Sequence, residues 1–213
     1  MDLNAPLLLY CERLGPGLWA EPLNAVSNLA FFGFAWKLWR ENRGGEPRIA
    51  ARLRLLAGLI ALVGAASLTF HTLATRWANL LDVGFIGIFN VAYLVIFLRE
   101  IAQWLRAGAL AAAAGFVLLD RAGAMLLPAG LLNGSGFYLP ALATLAALTA
   151  YALRIAPAAG RMMLAAALVF LVSLAARTLD RSLCDVWPWG THFVWHLLNA
   201  WVLYRLARAL KYG

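Results

Sequence analysis

Seven apolar runs tile the chain between residues 24 and 210, each bounded by charges, proline or glycine, and they leave no stretch for a separate folded unit. They fall near 24–39, 50–73, 80–98, 105–119, 137–153, 162–179 and 192–210, the fourth being the shortest. Crossing a hydrocarbon core of about 30 Å takes roughly 20 apolar residues, so runs of this size predict membrane-spanning helices. Composition agrees: 63% of residues are hydrophobic and 13% charged, against about half and a quarter in soluble domains. The fold expected is all-α, a single seven-helix membrane domain over 1–213, with residues 1–23 as an external arm. That arm lacks a basic start, an apolar stretch and a small-residue cleavage site, so it reads as part of the mature chain rather than a signal peptide. The Ala-rich AGALAAAAG at 107–115 allows close helix approach.

The net charge of +8 resolves once the charges are placed. Thirteen Lys and Arg fall on one set of loops, from Lys37 to Lys211, and five on the other: Arg13, Arg76, Arg121, Arg177 and Arg181. By the positive-inside rule the N-terminus lies outside and the C-terminus in the cytoplasm. Basicity is therefore a topology signal, and no nucleic-acid partner is expected. Tryptophans at 19, 77, 187 and 189 mark the outer boundary, and those at 36, 39 and 104 the inner one.

This topology gathers the polar residues of the spans at one depth. Ser67 and His71 occupy the last outward turns of the second span, Asp82 opens the third, and His192 and His196 open the seventh. Residues four apart share a helix face. All three histidines of the chain therefore sit near the outer rim, beside an acid. A catalytic zinc uses three protein ligands and leaves a position open to water, whose pKa falls to about 7. Asp82 is placed to accept that water's proton and deliver it to a leaving group. Ser67 is placed to hydrogen-bond a substrate carbonyl or its oxyanion. Taken singly, each has a plainer explanation: a histidine packed in a helix interface, Asp82 paired with Arg76, Ser67 bonded back to a helix carbonyl. Ionisable groups inside spans are costly and usually functional, and three at one level favour a site.

The blocks AEPLNAVSN (20–28), SLTFH (67–71), NLLD (79–82) and HFVWH (192–196) resemble the signature motifs of the alkaline ceramidases, within the CREST superfamily of seven-helix membrane hydrolases that includes the adiponectin receptors. The resemblance implies zinc on His71, His192 and His196, with Asp82 and Ser67 assisting hydrolysis of a ceramide amide to a fatty acid and a sphingoid base. The lipid, a ceramide or similar N-acyl lipid, would enter from the outer leaflet. Burying its chain among apolar helices would contribute about 0.8 kcal/mol per methylene.

The arm YCERLGPGLWAEPLN is similar to the calcium-binding segment of that family. Glu12 and Glu21 match its acids, but Leu9 and Leu14 stand where the family has Asp and Asn. Calcium, which takes six to eight oxygen ligands, is thus an expectation with a weakened donor set, set against two interfacial acids near Arg13. Cys11 and Cys184, the only cysteines, both fall on the outer side. In an oxidising periplasm they can pair, and the family carries a comparable arm-to-loop link; two buried thiols are the alternative. Short loops point to a bacterial inner membrane, with the site facing the periplasm. The rival function is a receptor or lipid-binding protein with structural zinc, which normally has four protein ligands. Haem fits poorly on two histidines of one helix, and a transporter would show polar residues at the midplane.

Overall fold

The structure is a computed structural model that describes residues 2–43, 45–128 and 130–213. It is all-helical: among the described residues no strand forms, and the only β-type contact is an isolated bridge between Pro6 and Thr75. The helices are α1 (Pro22–Ser27), α2 (Leu29–Arg40), α3 (Pro47–Leu73), α4 (Arg76–Glu100), α5 (Arg106–Leu126), α6 (Leu139–Ile155), α7 (Pro157–Leu179) and α8 (His192–Ala209), with short 3₁₀ turns at Gly136–Tyr138, Asp180–Leu183 and Leu210–Tyr212.

Among the described residues, five helical segments are long and apolar enough to cross a membrane: α3, α4, α5, α6 with its preceding 3₁₀ turn, and α7 with its following one. The first expected span, 24–39, divides at Asn28 into α1 and α2. The last, α8, is diluted by His192, His196, Asn199, Arg205 and Arg208. The fourth run, shortest in sequence, becomes a 21-residue helix, because AGAML continues the helix past Asp120 and Arg121. α3 and α7 start earlier than their apolar runs, at Pro47 and Pro157, since proline suits the first helical position. Glu46 caps α3, accepting from the backbone N–H of Arg48 at 3.0 Å and of Ile49 at 2.8 Å.

Successive helices from α2 to α8 pack side by side, and α8 returns to α2, closing a ring in which α3 also touches α8. At the α2–α3 contact, a Cβ on Gly64 would lie 2.6 Å from Cβ of Phe31, so only glycine admits this approach. Phe31, Leu38, Leu56, Ile60, Phe97 and Met163 are buried in the core. Leu118, Met125 and Leu126 on α5 stay 70–82% exposed, an apolar girdle that water disfavours and lipid accepts. α3 ends at Ala74 in the left-handed conformation, φ 47°, which turns the chain sharply into α4. The arm straps this turn: Leu7 N–H donates to Ala74 at 2.7 Å, and Arg76 and Trp77 donate to Ala5 and Leu3 at 3.2 and 3.0 Å.

Candidate metal centre

α3 ends and α8 begins at the same end of the ring, and α1 packs against both. This brings His71, His192 and His196 together: their ring centroids are 5.1 Å (71–192), 4.6 Å (71–196) and 4.6 Å (192–196) apart. One ring nitrogen from each lies within 4.8 Å of the others, and all three residues are buried. Zinc–nitrogen bonds of about 2.0–2.1 Å would bring the ligand atoms closer together than that limit. Among the described residues no carboxylate or thiol joins the three at this separation.

Neighbouring groups set the tautomers. His71 Nδ1 donates to Glu21 Oε2 at 2.6 Å, which leaves the lone pair on Nε2, a buried nitrogen without a partner. Ser27 Oγ donates to the carbonyl of Asn24 at 2.9 Å and so must accept from His196 Nδ1, 2.7 Å away. Nε2 of His196 is then the free donor atom. His192 stacks on Tyr10, centroids 3.6 Å apart, and its Nδ1 is buried without a partner. A buried imidazole nitrogen left without a hydrogen bond, as His71 Nε2 is, is an atom that a bound divalent metal would satisfy. Carboxylate and hydroxyl partners behind ligand imidazoles are a recurring support of metal sites.

Glu21 holds the arrangement from behind. Burial alone would raise its pKa, but His71, Arg13 and Asn24 donate to its oxygens and keep the carboxyl below the usual carboxylate range. Arg13, itself buried, also donates to the carbonyls of His71 (2.9 Å) and Gly17 (3.2 Å). Glu12 points elsewhere: its two oxygens accept from the N–H groups of Leu23 (2.6 Å) and Asn24 (2.9 Å), capping α1. The donor set therefore does not fit calcium. Glu12 serves a helix terminus, and the carboxylate of Glu21 with its surrounding carbonyls already encloses a guanidinium.

Cys11 and Cys184 form a disulfide that joins the arm to the segment before α8. Asp180, not anticipated from sequence, organises the same junction. Its carboxylate accepts from the N–H groups of Cys11 (3.0 Å), Thr191 (2.7 Å) and His192 (2.9 Å), tying the arm to the first turn of α8. Gly190 passes beside it at φ +63°, where a Cβ would run into the Asp180 carboxylate.

Asp82 and Ser67 adjoin the cluster. The carboxylate of Asp82 lies within electrostatic range of His71 and Arg177 and close to Ser67, its Oδ1 has no hydrogen-bond partner, and it makes no ion pair with Arg76 among the described residues. Asp82 lines a cavity of about 390 Å³ together with Tyr10, Tyr138 and Arg177. Tyr10 thus spans the histidine cluster and the cavity. Burial, opposed by the Arg177 charge, pushes its phenol up to about 12, so it stays neutral at physiological pH. Tyr138 also lines a narrower apolar crevice of about 60 Å³, running down among Phe89, Phe116 and Phe170.

Together these features define a helical protein with membrane-crossing segments and a buried three-histidine centre at one end of the bundle. No known family model matches the chain, and no curated protein matches it significantly.

Proposed function

We propose that the chain is a seven-span membrane amidase of the alkaline-ceramidase type, with its N-terminus outside, that hydrolyses the amide of a long-chain N-acyl lipid. The observation that carries this is the meeting of His71, His192 and His196 beside Asp82, a carboxylate with an unpartnered oxygen. The three-histidine set suits zinc with one position left open. Zinc held there supplies Lewis-acid activation of water at neutral pH.

The remaining work falls to the chain. Asp82 takes the proton of the attacking water and passes it to the departing amine nitrogen, so the C–N bond breaks as the acyl carbon gains oxygen. Ser67 donates to the substrate carbonyl oxygen as charge builds on it. Tyr138, shared by the cavity and the crevice, sets the division between headgroup and acyl chain. Glu21 and Ser27 keep His71 and His196 in their metal-ready tautomers.

A structural zinc in a receptor or lipid carrier would be closed by a fourth protein ligand, and the cluster supplies three. Purified protein, assayed for zinc and for fatty-acid release from N-acyl lipids, separates the two. The amidase predicts release by wild type and loss in Asp82→Asn with zinc retained; absence of release from every lipid, with zinc bound, would leave the receptor.

A further inference from the structure

Arg177 projects from the last turn of α7 into the cavity that holds Asp82. Its Nη1 donates to Ser135 Oγ at 2.6 Å and its Nη2 to the Tyr10 hydroxyl at 3.5 Å. The guanidinium carbon lies 5.2 Å from the ring centroid of Tyr138 and 5.4 Å from that of Phe137. These contacts hold the guanidinium in place, but Nε is buried without an acceptor, and Arg177 makes no direct ion pair among the described residues; Asp82 acts on it only at longer range across the cavity. Arg181, four residues on, lines the same cavity and is likewise unpaired.

Two arginines therefore line the chamber against one lining carboxylate among the described residues, Asp82, which leaves one positive charge in excess. A partly buried guanidinium without a direct ion pair is costly. Its planar fork matches phosphate and carboxylate oxygens, which accept two parallel N–H bonds. The apolar crevice below Tyr138 suits an acyl chain, which sets the charged group of an amphiphile in the upper, polar chamber.

We propose that the lipid bound here carries a phosphate or carboxylate on the amine side of the scissile amide, held by Arg177 with Arg181. This rests on the amidase assignment for its substrate and names the substrate's headgroup class. The reaction is unchanged: water adds across the C–N bond, the acyl carbon leaves as a carboxylic acid, and the anionic headgroup departs with the amine.

The test pairs two N-acyl lipids of one acyl length, a neutral ceramide and a ceramide phosphate, with direct binding of hexadecyl phosphate, hexadecanol and inorganic phosphate to the purified protein. Wild type should favour the anionic lipid by tenfold or more in kcat/KM. Arg177→Met should raise KM for the anionic lipid about tenfold more than for the neutral one, with Arg177→Lys intermediate. Equal turnover of both lipids by wild type, or an equal loss on both in Arg177→Met, overturns the headgroup assignment and leaves the amidase standing. If neither lipid is cleaved yet hexadecyl phosphate binds at least tenfold tighter than hexadecanol, through Arg177, the anionic site holds and the amidase fails. Inorganic phosphate binding as tightly as hexadecyl phosphate overturns a lipid site in favour of a free-anion one.

Discussion

His71 and Glu21, 50 positions apart in sequence, meet at 2.6 Å, ring Nδ1 to carboxylate Oε2. The contact fixes which nitrogen of His71 is left for a metal. It also makes Glu21 a positioning residue, since it reaches the centre only through His71. Glu21→Ala should weaken zinc affinity by roughly 10–100-fold, the usual loss when a partner behind a ligand is removed. Competition with a chromophoric chelator measures it, and Glu21→Gln, which can still accept from Nδ1, should recover part of the loss.

Arg13 stands where the arm was expected to hold calcium, joined to Glu21 and to the carbonyls of Gly17 and His71. Removing one partner of a buried ion pair costs about 3–5 kcal/mol. Arg13→Met should therefore lower the melting temperature by several degrees. Wild type should melt at the same temperature in calcium and in a calcium-selective chelator; a saturable calcium-dependent rise would show that the carboxylates open to the ion.

The Cys11–Cys184 disulfide closes a separation of 173 residues. Its loss in Cys184→Ser should cost about 2–4 kcal/mol, a figure moderated because Asp180 separately holds Cys11. Asp180→Ala strips three backbone donors of their acceptor, each worth about 1–3 kcal/mol when buried and unsatisfied. The double variant should release the arm, seen as faster proteolysis before α1.

At the opposite end of the bundle, Glu41 joins α2 to α8. Its carboxylate pairs with Lys37 at 3.1 Å and accepts from the Tyr204 hydroxyl at 3.0 Å. Burial acts to raise its pKa, but Lys37, Tyr204 and Arg208 together lower it below the ordinary carboxylate value. A lowered folded-state pKa contributes stability above the unfolded value of 4.5, and that contribution is lost as pH falls through the folded value. Glu41→Gln should cost under about 1 kcal/mol at pH 7, as for other solvent-reached pairs, and melting curves of variant and wild type should converge in acid.

Helix positions were legible because lipid demands long apolar runs, and five of those runs are helices of membrane-crossing length. Run boundaries follow hydrocarbon rather than hydrogen bonding, so the helical starts at Pro47 and Pro157 lie beyond them. The break at Asn28 carries no proline or glycine to announce it. The clustering of the three histidines was legible from their common depth and the four-residue spacing of His192 and His196. Arg177 was not, because an arginine at a helix end reads as a boundary charge until the fold turns it inward. Asp180, Ser27 and Tyr10 reach the histidines across separations of 12 to 182 residues, which local pattern cannot relate. Their roles depend on where the arm and the 3₁₀ turn after α7 come to rest.

If three imidazoles from α3 and α8 share one metal ion, metal analysis of purified protein, with X-ray absorption at the zinc edge, will detect it. One zinc per chain in a nitrogen and oxygen shell is expected, and none in His71→Ala or His196→Ala preparations that keep their helical content. Zinc retained at full stoichiometry in either variant, or a wild-type shell containing sulfur, would contradict it.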